Sequence, residues 1–480
     1  PPSKDQVEKI PELVARKLRL ILISEDKNKL TLATDSQAGK KLAADLKKQF
    51  PGKNVVLTYS LSDDIDAGFL HYQKVLEKRL DKIIEAGQNL APLMLDEIFS
   101  DALTARASDI HFEPQAASTV VRFRVDGILR EVARIPKEYY DNVLNRLKVQ
   151  GRMRIDEHFA AQDGAIRHDK AGQTVDIRVS IVPTIEGEKV VMRLLAAYVQ
   201  NFSLATLGLS VEDQQLIEAT ATRPYGMILV VGPTGSGKTT TLYALLKLLN
   251  RPGLNLTTIE DPVEYKVVGV NQIQVNTLTD LTFSKGLRSI VRQDPDIILV
   301  GEIRDHETVE IAVNAALTGH MLLSTFHAND AASAIPRLLD MGTEPFLLAS
   351  TLSIIVAQRL VRTICSACKF SVDITAAKLP LKGAEKYFGK GKLTLYEGKK
   401  CQTCNYTGFS GRLAVMEIIN ITPELKDLML THPSAQQVWQ LARKQGSVSM
   451  FEDGVHKVKT GLTTLSELLR VAEPPAEYNK

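Results

Sequence analysis

MILVVGPTGSGKTTTLYALL, residues 227–246, reads as a strand, a loop and a helix in that order. The apolar run 227–231 supplies the strand, a loop with three glycines and a lysine follows, and Thr-Leu-Tyr-Ala-Leu-Leu at helical spacing supplies the helix. Gly232, Gly235 and Gly237 let successive backbone N–H groups turn inward on phosphate oxygens, and the helix points its positive end at the same place. Lys238 is expected to reach the β and γ phosphates of ATP and the Thr239 hydroxyl to bind Mg2+, with Pro233, Thr234, Ser236 and Thr240 completing the cradle.

Hydrolysis needs more than a cradle, because an attacking water must be oriented and the charge on the γ-phosphoryl neutralised. Two acidic stretches follow apolar strands: TIEDPVEY (258–265), with Glu264, and DIILVGEIRD (296–305), with Glu302. In the second, a strand followed by an acid, Gly301 stands where an aspartate is usual, so Glu302 is expected to make the Mg2+ or water contact. The plainer alternative is that these carboxylates are solvated strand ends. GHMLLSTFHAND (319–330) puts His320 and His327 at opposite ends of a further strand. Alone, either reads as a structural histidine, and no HExxH spacing supports a metal protease. A nucleotide one strand away makes His327 a candidate γ-phosphate sensor.

Working outward, 480 residues exceed one compact core, and about three domains are expected. A composition of 44% hydrophobic and 24% charged residues is that of globular protein, and a net charge of +3 gives no general field for polyanions. The richest apolar stretch, residues 346–361, is broken by Ser350, Thr351, Ser353, Gln358 and Arg359, so no membrane span is expected and the chain reads as soluble. Beginning Pro-Pro-Ser without methionine, it reads as trimmed or processed.

Residues 1–74 read as a small mixed domain, with helices over 5–18 and 36–50 and strands over 20–23, 29–33 and 54–58. A charged helix over 70–86 reads as a linker, placed at 75–90. Residues 91–205 read as an α+β domain in which VVRFRV (120–125) ends at Asp126-Gly127, a two-residue hairpin signal, with further strands over 175–181 and 189–195. From 206 to 480, strands over 227–231, 256–259, 297–300 and 320–325 alternate with helical patterns, which implies an α/β domain with a largely parallel sheet and phosphate loops at its carboxyl edge.

All four cysteines fall in two knuckles, Cys365-x-x-Cys368 and Cys401-x-x-Cys404. Four thiolates close a tetrahedral Zn2+ shell with no open position, so a structural zinc module is expected over 362–415 rather than a redox dithiol, in a reducing compartment. The long spacing between knuckles implies an inserted hairpin or helix. Eight lysines between Lys369 and Lys400, against Asp373, Glu385 and Glu397, read as a solvated face or as a surface for an acidic partner or anionic headgroups.

Taken together, GPTGSGKTT, TIEDPVEY, QDPDIILVGEIRD, GHMLLSTFHAND and the tetracysteine pattern resemble the secretion ATPases that drive type II secretion and type IV pilus assembly. SDIHFEP (108–114), RFRVDG (122–127) and IEGEKVVMRLL (185–195) resemble that family's second amino-terminal domain, so the likeness runs over nearly the whole chain. It implies a RecA-like P-loop NTPase domain behind a PAS-like α+β domain and a small amino-terminal α/β domain. It also implies a cytosolic homo-hexamer at the inner face of the cytoplasmic membrane, working on an inner-membrane platform protein and hydrolysing ATP at seams between domains. Arg178 in DIRVS, Arg193 in VMRLL, and Arg288 and Arg292 in GLRSIVRQDPD match the family's phosphate-reaching arginines. Read without the resemblance, Arg178 and Arg193 are strand-surface charges.

Two departures stand out. Gln162-Asp163-Gly164 is followed by Ala165 where the family usually has arginine, and Cys365 is followed by Ser-Ala rather than the usual proline. Retraction motors of the family lack both the first domain and the tetracysteine module, so the chain resembles an assembly or export motor whose first domain docks on the membrane machine. The competing classes are a nucleic-acid motor, which would want a basic, aromatic-lined channel, and a module that senses nucleotide and barely hydrolyses it. One tryptophan and 6% aromatic residues argue against the former.

Overall fold

The computed structural model describes residues 6, 9–10, 14–15, 18–26, 29–35, 54–60, 65, 76–87, 90–170, 173–195, 203–404 and 406–475. It divides into two compact units: Pro1–Ala196 with Cys365–Cys368 and Lys399–Gly408, and the remainder from Ala197 onward.

The first unit opens with a three-stranded sheet. Strand β1 (Leu20–Glu25) runs antiparallel to β2 (Lys29–Thr34), which runs parallel to β3 (Asn54–Tyr59). Leu20, Leu22, Leu30 and Leu32 lie buried between them. The helices expected over 5–18 and 36–50 fall largely or wholly outside the described residues. Of the charged helix expected over 70–86, the described part is α1 (Leu76–Ala86), followed by α2 (Leu90–Thr104).

A six-stranded antiparallel sheet follows, built from β4 (Asp109–Pro114), β5 (Ser118–Val125), β6 (Ile128–Pro136), β7 (Gln162–Lys170), β8 (Gln173–Thr184) and β9 (Gly187–Leu195). Its order is β6-β5-β4-β9-β8-β7, with α3 (Lys137–Gln150) between β6 and β7 in the chain. Asp126 and Gly127 close the β5–β6 hairpin with φ of 50° and 85°, the two left-handed residues a two-residue turn requires. Glu188, Val190, Met192 and Leu194 face inward along β9, which leaves Arg193 on the other face.

The second unit is a seven-stranded sheet. In chain order come α4 (Val211–Ala221), β10 (Gly226–Val231), α5 (Lys238–Leu249), β11 (Leu256–Glu260), β12 (Asn271–Gln274), α6 (Phe283–Ile290), β13 (Ile297–Ile303), α7 (His306–Leu317) and β14 (Met321–Phe326). Helices α8 (Ala334–Asp340) and α9 (Pro345–Thr351) lead to β15 (Leu352–Ile364). A separate antiparallel pair, β16 (Lys369–Thr375) and β17 (Lys392–Gly398), encloses α10 (Ala384–Phe388). Strand β18 (Phe409–Asn420) then returns beside β15, and α11 (Pro423–Met429), α12 (Ala435–Lys444), α13 (Met450–Lys459) and α14 (Leu465–Val471) finish the unit.

The sheet order is β12-β11-β13-β14-β10-β15-β18, and every pair is parallel except β15 with β18. Strands β10, β11 and β14 are buried at every residue, as a sheet covered on both faces demands. Met227, Leu229 and Val231 pack into one core with α7, while Ile228 and Val230 pack into the other with α5. The sequence expectation placed a strand at 320–325; the strand begins at Met321, because His320 sits in the turn after α7 with its ring on the Ala315 carbonyl. Strand β13 runs three residues past the expected end and carries Gly301 and Glu302 within it.

Candidate functional site

The phosphate loop lies between β10 and α5. Gly232, Gly235 and Gly237 have φ of 150°, 78° and 89°, values that side-chain-bearing residues rarely adopt. Gly237 is also the N-cap of α5, and with no side chain to cap the helix its first-turn N–H groups are left for an anion. The Ser236 hydroxyl is buried beside them with no hydrogen-bond partner among the described residues. Thr239 is exposed at the start of the helix. The Lys238 ammonium curls back to donate to the carbonyls of Gly232, at 2.8 Å, and Pro233, at 3.1 Å. Burial pulls its pKa below the ordinary lysine value, Glu302 opposing and Arg359 assisting. A polyphosphate meets here a ready set of donors and one partly desolvated cation.

Glu302 ends up where a strand delivers it. Its side chain is only 13% exposed and lies against two groups: the Arg304 guanidinium at 2.5 Å and the His327 ring at 3.3 Å. His327 follows β14 directly and is half-exposed, so the two expected residues from adjacent strands meet. Arg304, whose pKa is raised chiefly by its hydrogen bond to Glu302, was quoted in the sequence motif without a role. Beside them a cleft of about 340 Å3 is lined by Arg304, Phe326, His327, Arg337 and Asp340.

The other acidic stretch follows β11. Glu260 is buried there, bonded to the Tyr243 and Thr258 hydroxyls and to the Gln272 amide; burial raises its pKa although these bonds oppose the shift. The Tyr243 hydroxyl also accepts the Glu264 N–H at 3.3 Å, which ties the loop bearing Glu264 to the helix that follows the phosphate loop. Glu264 itself is half-buried.

The four arginines fall in two places. Arg288 pairs with Glu307 at 2.8 Å, both half-exposed, and Arg292 is exposed. Arg178 and Arg193 belong to the first unit, directly opposite one another on β8 and β9. Like charges so placed repel, and Asp109, which takes Arg193 at 3.2 Å and Arg124 at 3.4 Å, offsets the repulsion.

The cysteine sulfurs converge. Cys365 and Cys401 lie 3.9 Å apart, Cys368 and Cys404 3.8 Å, Cys401 and Cys404 3.7 Å, and all four fall within 4.8 Å of one another. A tetrahedron of sulfurs about 2.3 Å from a zinc ion has edges of about 3.8 Å, so the donor set fits that ion. The Gly408 N–H donates to Cys404 Sγ at 3.2 Å, a hydrogen bond that steadies negative charge on that sulfur. The insertion between knuckles holds both a hairpin, β16–β17, and a helix, α10.

Among the described residues, no helix is long and apolar enough to cross a membrane. Residues 85–470 match the family model described as type II/IV secretion system protein. The type II secretion system protein E of Pseudomonas aeruginosa is 42% identical over 462 residues, covering 95% of this chain and 88% of the relative. The type IV pilus assembly ATPase PilB of Myxococcus xanthus is 42% identical over 417 residues, covering 86% and 73%. Among solved structures, the pilus retraction motor PilT with bound ADP aligns with a TM-score of 0.54 at 26% identity, over 79% of this chain and 97% of that one. The ATPase DotB of Legionella pneumophila shares the fold, with a TM-score of 0.59 at 20% identity over 80% and 96%.

Proposed function

The chain belongs to the type II/IV secretion system protein family, and on that premise we propose that it is the ATP-hydrolysing motor of a type II secretion or type IV pilus machine, driving assembly of pilin-like filaments. The observation that carries this reading is the joining of Glu302 and His327 at the carboxyl ends of adjacent strands, with Glu302 close enough to Lys238 to hold up its pKa.

The residues divide the work. The loop 232–240 cradles the phosphates through backbone N–H groups, and Lys238 exchanges its two carbonyl partners for phosphate oxygens. The Thr239 hydroxyl and Glu302 are the groups that would hold Mg2+, which when bound neutralises phosphate charge. Glu302 and Glu264 share the orientation of the attacking water, and His327, already on Glu302, reads the γ-phosphate. Arg178, Arg193, Arg288 and Arg292 are the candidate cations for the developing charge. Freeing Arg288 from Glu307 costs little, since half-exposed pairs are worth about 0–1 kcal/mol. The four thiolates hold a structural Zn2+, and the working form is a homo-hexamer at the cytoplasmic face of the inner membrane, bound there through a platform protein.

Steady-state ATP hydrolysis with Mg2+ tests the reading. Lys238→Ala is expected to lose nucleotide binding and turnover together, whereas Arg178→Ala or Arg193→Ala keeps binding and loses turnover. Single-stranded DNA should leave the wild-type rate unchanged; stimulation severalfold would favour a nucleic-acid motor instead.

A further inference from the structure

Gln358 and Arg359 are two polar residues in succession on a strand whose first six residues are wholly buried. Gln358 is 1% exposed. Its amide nitrogen donates to the Ser236 carbonyl at 2.7 Å and its amide oxygen accepts from the Thr241 hydroxyl at 2.7 Å, so one side chain grips the phosphate loop and the first turns of α5. The same residue crowds two of the motif's glycines, beside the Ser236 hydroxyl at Gly232. A Cβ on Gly232 would stand 2.7 Å from the Gln358 carbonyl oxygen, and one on Gly237 would stand 3.0 Å from its amide nitrogen.

Strand alternation sends the next side chain to the opposite face. There the Arg359 guanidinium donates to the Asn329 carbonyl at 3.0 Å, two residues after His327. Glu417 on the neighbouring strand β18 accepts the Ala331 N–H at 2.9 Å, so the loop behind His327 is held from β15 and β18 together.

We infer that Gln358 is a positioning residue for the phosphate loop and Arg359 one for the histidine loop, so that a single strand sets both sides of the nucleotide site. This rests on the reading of residues 232–240 as the nucleotide loop. The two residues act on different steps: Gln358 on the shape that receives phosphate, Arg359 on the group that faces it during turnover.

The test is a split between binding and turnover in the full-length chain, with ADP as the binding probe. Gln358→Leu should weaken ADP about tenfold and raise the KM for ATP alike, with kcat nearly unchanged at saturation. Arg359→Met should lower kcat about tenfold and weaken ADP no more than about twofold, the part that its field at Lys238 accounts for. A generally loosened fold would instead move both quantities together in both variants, and that result overturns the inference. Should Gln358→Leu fail to fold, Thr241→Val cuts the same grip from the helix side and should weaken ADP, while Thr241→Ser, which keeps the hydroxyl, should not. Wild-type affinity in Thr241→Val or in Gln358→Leu sinks the positioning role alone; a wild-type chain that binds no ADP sinks the nucleotide reading with it.

Discussion

A candidate for chemistry is legible in this chain where its type is unusual for its place, and Glu302, the proposed water- or Mg2+-contacting acid, is the clearest case. An acid after four buried strand residues has no reason to be there for packing, and the structure sets it against the Arg304 guanidinium and the His327 ring. Gln358 and Arg359 offered a similar signal, polar groups inside an apolar run, but in sequence they served only to argue against a membrane span. Their partners lie 122 and 30 residues away, a distance no local pattern reports. Glu417 was equally silent. It is buried between Asp330 and Arg359, and burial, with Asp330 assisting, raises its pKa to about 7. The folded chain therefore binds this proton more tightly than the unfolded chain. The associated stability is fully present below the ordinary glutamate range and is lost as pH rises toward about 7, a change on the order of 3 kcal/mol at most. Glu417→Gln should thus gain thermal stability relative to wild type between pH 5 and pH 7.5. A constant difference in melting temperature across that range would show that Glu417 titrates normally.

At the scale of elements, periodicity and turn chemistry located the strands well wherever the pattern was one of burial. Asp126-Gly127 named its own turn, and the apolar run 227–231, read as a strand of a sheet with covered faces, is buried at every residue of β10. Boundaries were less readable where tertiary contacts move them: β13 continues past Val300 because Ile303 pairs again with Phe326 of β14 across a register shift, and Gly301 within that irregularity lies where a Cβ would come within 3.2 Å of the Glu260 backbone. The cysteine spacing announced a closed metal site, but not that its insertion would contain both a hairpin and a helix. The sulfur geometry predicts about one zinc per purified chain, measured by elemental analysis, and its loss in Cys401→Ser with a lower melting temperature. Nucleotide affinity should stay within twofold, since the cysteines belong to the first compact unit and the phosphate loop to the second. A wild-type chain free of metal, with all four thiols reactive, would refute the site.

For the whole molecule, the two compact units divide the labour that the motifs assign: the phosphate loop, both acidic stretches and His327 in one, Arg178 and Arg193 in the other. Composition excluded little here; a charge of +3 on 480 residues speaks against a polyanion track, and the remaining discrimination came from motifs and then from kinship along 95% of the chain. The central claim is that ATP is hydrolysed at Glu302. It is tested most directly by measuring ATP binding and ATP turnover on the same preparation of Glu302→Gln. The account predicts ATP bound with affinity near that of the wild type and turnover lower by about 10²-fold or more. Turnover at the wild-type rate would contradict it and move the water-orienting role to another group, Glu264 first.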